Sequence, residues 1–217
     1  MSIRVKYEEE LNKIEDSLVQ MGRLVEEAIL KSVSSLIHQD KDLAKQVIKD
    51  DTIIDNAEHN IEQQCLTILL MEHPFANDFR DVSAALKMIT DLERIGDQAS
   101  DIAEITLQFK DEKYIKNLEH IQLMSSISIQ MVKESVASYI NKDLESARAL
   151  EKEDDKVDNL FQTIKDELIE LIKKNKDNAD QAILFMMIAK YLERISDHAT
   201  NIGEWVEYAI TGYHKIG

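Results

Sequence analysis

The chain has 217 residues, 44% of them hydrophobic and 31% charged, and its 42 acidic side chains outnumber 26 basic ones for a formal net charge of −16. Such a field repels nucleic acid, anionic lipid and free phosphate and attracts cations, and the lysines and arginines are scattered among carboxylates rather than gathered into a basic patch. Five glycines and one proline are too few to punctuate a strand-and-turn protein, and no apolar run reaches the ~18 residues of a membrane span.

The opening, MSIRVKYEEE, lacks the apolar core of a secretory signal. Leu11, Ile14, Leu18, Met21, Val25 and Ala28 then recur at steps of three and four, the period of one buried helical face. They predict a first helix that breaks near HQDKD. Val47, Ile54, Ala57, Ile61 and Ile68 predict a second, broken near EHPFAND, and Leu92, Ile95, Ala99 and Ile102 predict a third. After a junction at FKDEKYIKN, residues 109–117, the pattern starts again. KSVSSLIHQD at Lys31 returns as ESVASYINKD at Glu134, and KDDTIIDN at Lys49 returns as KEDDKVDN at Lys152, both shifted by 103 residues. LERIGDQASDIAE at Leu92 returns as LERISDHATNIGE at Leu192, shifted by 100, so the loop MEHPFANDF is three residues longer in the first copy. The second copy breaks near INKD and KNKDNAD, and Asn and Asp suit such ends because their side chains cap orphan backbone groups. The expected fold is all-α: two tandem homologous three-helix bundles, residues 1–112 and 113–217, with six long helices of ~30 residues and ~45 Å each.

Acidic residues recur in register on two helices of each copy. With Glu93 at zero on a helical wheel of about 100° per residue, Asp97 falls near 40°, Asp101 near 80° and Glu104 near 20°, while Leu92, Ile95, Ala99 and Ile102 gather around 220°. The stripe therefore points away from the apolar one. Copy two keeps Glu193, Asp197 and Glu204 and puts Asn201 in place of Asp101. The second helix carries Asp51, Asp55, Glu58 and Glu62; its counterpart keeps Asp154 and Asp158 but has Phe161 and Lys165 in the last two places. Like charges four residues apart oppose helix formation by a few tenths of a kcal/mol per pair. If the second and third helices lie side by side their stripes converge, and the two readings are a solvated outer face or a site for hard, oxygen-liganded divalent metals or oxygen-bridged iron. Arg94 and Arg194 either brace neighbouring carboxylates or form plain surface pairs. His198 reads as an exposed or core histidine before a ligand, and Trp205, Met186 and Met187 as packing. Cys65, the single cysteine, reads as a buried small hydrophobe of a reducing cytoplasm.

Two three-helix units, each with a third helix reading LERIGD or LERISD followed by Ala, Ile and Glu, resemble the PhoU family of bacterial phosphate-uptake regulators over essentially the whole chain. The family's acid-x-x-x-Asp phrase fits Asp51 with Asp55, Glu93 with Asp97, Asp154 with Asp158, and Glu193 with Asp197. The resemblance implies surface metal clusters at these residues together with Glu58 and Asp101, holding iron, manganese, magnesium or zinc, with the first site richer in carboxylates than the second. It implies a regulator rather than an enzyme, working with the phosphate ABC transporter and connecting its ATPase subunit to a sensor histidine kinase. The location would be cytoplasmic, peripheral to the membrane through partners. Long bundles with apolar ends associate, so a homodimer is expected. Two other readings stay open: a metal-free helical scaffold, and a carboxylate-bridged di-iron oxidase. The second conflicts with the absence of any Glu three residues before a histidine.

Overall fold

The computed structural model describes residues 3–71, 76–110 and 112–213. Six α-helices follow one another: α1 (Ile3–His38), α2 (Lys41–Met71), α3 (Ala76–Gln108), α4 (Glu119–Asn141), α5 (Leu144–Lys174) and α6 (Ala179–Thr211). A 3-10 turn, Lys176–Asn178, leads into α6. The first four residues of the EHPFAND break, 72–75, lie outside the described residues.

The breaks between helices are set by local chemistry, and one of them is copied in detail. Gln39 and Lys142, 103 residues apart, both adopt the left-handed conformation, with φ of 53° and 51°. Each is followed by a capping aspartate. Asp40 Oδ1 accepts from the backbone N–H of Asp42 and Leu43 at 3.1 and 2.9 Å. Asp143 Oδ1 accepts from Glu145 and Ser146, both at 3.1 Å. Two of the orphan donors that open each following helix are thereby satisfied. Gly212, with φ of 76°, stops α6.

The predicted apolar faces are the buried ones. Ile14, Leu18, Met21 and Val25 of α1, Ile54, Ile61 and Ile68 of α2, and Leu92, Ile95, Ala99 and Ile102 of α3 belong to one core. That core runs without interruption into the second repeat through Met124, Met131, Val157, Ile164, Leu192 and Ile202. Helices α2, α3, α6 and α5 lie side by side in that order as one layer, because α3 packs on α6, α2 on α3 and α5 on α6. Helices α1 and α4 touch each other and back this layer. The third helices of the two repeats thus form the seam of the molecule. Phe109, Tyr114 and Phe185 hold the connection between repeats in an aromatic cluster with ring centroids 4.8 to 5.2 Å apart, and the Tyr114 hydroxyl donates to the Leu36 carbonyl at 2.7 Å.

Two expectations change. Helix α4 has 23 residues against 36 in α1. The chain that would lengthen α4 is used to cross from the end of α3, so the first turns of α1 have no counterpart. Met187 is 41% exposed and does not pack in the core, whereas Met186 does. Cys65 is fully buried, and that burial pushes its thiol up to about 12.

Candidate functional site: two acidic grooves

Because α2 lies alongside α3, the carboxylate stripes of the two helices face each other across a groove. Asp51 is half-buried there. Burial, reinforced by the charges of Asp55 on its own helix and Asp97, Asp101 and Glu104 on α3, pushes its carboxyl up to about 6. Glu93 is raised by burial and by Asp97, Glu58 and Asp55, with Arg94 opposing. Glu58 is raised by burial while the Thr90 hydroxyl, donating at 3.3 Å, pulls it back. Asp101 is raised by burial, Glu104 and Asp97. The stripe is therefore mixed: Asp51, Glu58, Glu93, Asp97 and Asp101 are partly buried, while Asp55, Glu62 and Glu104 are exposed. The neighbouring helix takes enough water away to make mutual repulsion costly, which an isolated helical wheel does not show.

The second groove, between α5 and α6, keeps the plan with fewer charges. Asp197 is pushed up to about 6 by burial, Glu193 and Asp154, against Lys190. Asp154 is raised mainly by burial, with the nearby Ser196 hydroxyl opposing. That hydroxyl donates to the Glu193 carbonyl at 2.7 Å, and Asp154 Oδ1 is left buried with no hydrogen-bond partner. Lys190 stands where the first repeat has Thr90. It pairs with Glu193 and lies 5.7 Å from the ring of Phe161, the residue in Glu58's place. One end of the second groove thus carries its own cation, and the first groove has no lysine at that position.

Arg94 braces its own helix, at 3.2 Å from Asp97 Oδ2 and 3.5 Å from Glu93 Oε2. Arg194 acts across the seam, where it and the Tyr191 hydroxyl favour the charged form of Asp101. His198 is neither exposed nor in the core: its Nδ1 lies 2.9 Å from Asp91 Oδ1 on α3. Asn201 Nδ2 donates to the same oxygen at 3.4 Å. Asp101 with Tyr191 and Asn201 with Asp91 are the same pair of positions seen from either repeat, so the seam has approximate twofold character. Asp91, Tyr191 and Lys190 are the residues that sequence reasoning missed. None belongs to an acidic repeat, and only the α3–α6 contact reveals the first two.

The donor set is all carboxylate oxygen, which suits a hard divalent cation or ferric iron. The repulsion around Asp51, and around Asp197 despite Lys190, fits such an occupant. Among the described residues no three His, Cys, Asp or Glu side chains are grouped so that they could hold a metal ion. The grooves therefore gather carboxylates without forming a metal site as they stand.

A duplicated three-helix unit with a facing pair of acidic helices in each copy, joined through its third helices, defines a tandem-repeat helical protein. The PhoU domain family matches residues 18–106 and 121–206, one domain in each repeat, and the chain belongs to the PhoU family. It is 35% identical over 207 residues to a phosphate-specific transport system accessory protein PhoU homolog of Clostridium acetobutylicum, covering 95% of this chain and 94% of that protein. It is 35% identical to the corresponding homolog of Aquifex aeolicus over 88% of this chain and 86% of that one. The fold superimposes on the crystal structure of PhoU from Pseudomonas aeruginosa with a TM-score of 0.90 at 32% identity, covering 95% of this chain and all of that one. Among the described residues no helix is long and apolar enough to cross a membrane.

Proposed function

We propose that this protein is a cytoplasmic regulator of phosphate uptake and of the phosphate-starvation response, acting as an adaptor between the ATPase subunit of a phosphate ABC transporter and a sensor histidine kinase. The relatives named as accessory proteins of the phosphate-specific transport system support the system. The adaptor role is supported by a fold whose four-helix layer presents two non-equivalent acidic faces to solvent. In this reading the protein binds and positions partners, without turnover, and works as a homodimer held near the membrane by those partners.

The observation that carries the reading is the pair of half-buried carboxylate grooves whose charges are not fully balanced. Asp51, Asp55, Glu58, Glu93, Asp97 and Asp101 would hold a cation in the first groove, and Asp154, Asp158, Glu193 and Asp197 in the second. A bound iron, manganese, magnesium or zinc ion would supply positive charge, giving an otherwise anion-repelling surface a place for an acidic partner group. The chain's own part is to fix two helices at a spacing that keeps the carboxylates facing.

Metal analysis of protein purified without chelators tests this. We expect stoichiometric metal, and its loss in Asp55→Ala plus Asp97→Ala with helicity intact; unchanged metal content in the double variant defeats the assignment. Co-purification of the transporter ATPase from cells grown with and without phosphate tests the adaptor role. A metal-free scaffold is the second reading, favoured by the lack of such a grouping among the described residues. It predicts no heat and no change in melting temperature on titration with manganese or ferric iron after chelation.

A further inference from the structure

The groove between α1 and α2 differs between the repeats in a way the acidic stripes do not explain. In the first repeat it opens as a cavity of ≈ 140 Å³ that reaches from Leu24 and Ala28 on α1, past Ile53 and Ile54 on α2, down to Gly96 on α3. A void of this size holds one branched or aromatic side chain. Ile53 at its edge is 48% exposed. In the second repeat the corresponding depression, between Ile127, Met131 and Glu153, is wider at ≈ 250 Å³ but has no lining residue from α6. Met131, fully buried, stands at the floor where the first repeat has Ala28, and the buried Ser196 stands where it has Gly96. Lys156 stands in place of Ile53. One repeat thus carries its own plug and a charged edge, while the other leaves a socket with an apolar edge.

The rim of the socket says what fits it. Glu27, Asp50 and Asp51 surround one cation, Lys31, which is held by Glu27 at 2.7 Å. The surplus is negative. A second copy of this chain, at net charge −16, is a poor match for that rim.

We infer that the α1–α2 groove of the first repeat is a docking socket for one leucine- or phenylalanine-sized side chain presented beside a lysine or arginine on a helix of a partner protein. This deepens the adaptor reading by naming a surface, and it does not require the metal. The apolar side chain takes the place that Met131 occupies in the second repeat, and the partner's cation meets Asp50, since Glu27 is already paired with Lys31. Specificity comes from the combination, since an acidic partner helix is repelled by the rim and one lacking the large side chain leaves the void unfilled.

Methyl NMR on the full chain tests it with three synthetic helical peptides: one with a leucine and an arginine one turn apart, one with alanine for the leucine, and one with glutamate for the arginine. The first should shift the Ile53 and Ile54 methyl signals, and each altered peptide should bind about tenfold or more weakly. Ala28→Met, which installs the second repeat's plug, should abolish the shifts. Ile53→Lys changes an exposed residue without touching the core and should weaken binding as well. Equal affinity for all three peptides, or unchanged binding to both variants, would overturn the socket. So would sedimentation showing that Ala28→Met converts a dimer to monomer, since the occupant would then be a second copy. The adaptor reading is judged apart from this, by whether the unaltered chain binds the purified ATPase subunit at all.

Discussion

Gly203 on α6 is packed so closely against Leu150 on α5 that an added Cβ would lie 2.8 Å from Leu150 Cδ1, and 2.9 Å from the Ala147 carbonyl oxygen. The first repeat solves the same contact differently: Ala103 and Val47 occupy the two positions, buried with Ala44. One methyl has been moved from the third helix to the second, and the total side-chain carbon is conserved. Gly203→Ala should therefore destabilise by about 1–3 kcal/mol through overpacking. Leu150→Val in the same chain should recover part of the loss but not the share owed to the carbonyl contact. Urea midpoints of both singles and the double close the cycle; additive losses would show that the two sites are not coupled.

The pH dependence of the metal-free protein follows from the raised carboxyls. Asp51 and Asp197 titrate near 3.8 when unfolded and at about 6 when folded. Across that window the folded state binds more protons than the unfolded one, so these two groups make stability fall as pH rises. Their contribution is complete below about pH 4 and lost by pH 6 to 7. Melting temperatures in chelator across pH 4 to 7 should show this downward step in the wild type, and Asp51→Asn plus Asp197→Asn should lack it. Manganese added at pH 7 should restore the lost stability to the wild type and do less for the double variant.

The copied turn gives a second pair of tests. Asp40→Ala removes two acceptor contacts at the start of a helix and Asp143→Ala three, the third from the Ser146 hydroxyl at 2.7 Å, and each should cost about 1 kcal/mol. Because the two caps sit in different repeats with no shared partner, the double loss should equal the sum within a few tenths of a kcal/mol. Chemical denaturation of the three variants measures it.

Cys65 should be inert to a thiol reagent in the native protein at pH 8, since burial both hides its sulfur and holds the thiol up at about 12. Its modification rate should rise to that of a free thiol only in denaturant. Fast native labelling would mean that α2 opens locally.

Much of the fold was legible because it depends on local period. The apolar positions of α1, α2 and α3, the duplication and the breaks at Asp40 and Asp143 can all be read along one strand of text. The acidic residues were legible as a pattern but not as an environment. That Asp51 is half-buried against Asp97 and Asp101 needs the side-by-side placement of α2 and α3, which no single helix specifies. The seam was invisible for the same reason: Asp91 and His198 are 107 residues apart and neither belongs to a repeated acidic phrase. Met187 was misjudged because its spacing on α6 is compatible with burial, and only the neighbouring helices decide which flank is covered.

The α3–α6 seam, with Asp101 opposite Tyr191 and Asn201 opposite Asp91, has the form of a two-subunit interface written into a single polypeptide. In a true homodimer every substitution on one side is imposed on the other, so a hole and the stopper that fills it cannot be evolved separately. Fusion removes that constraint while keeping the geometry of the pair at fixed one-to-one ratio. The two halves are thereby free to diverge, as Lys190 for Thr90, Phe161 for Glu58 and Met131 for Ala28 show, while one continuous packed interior holds them together.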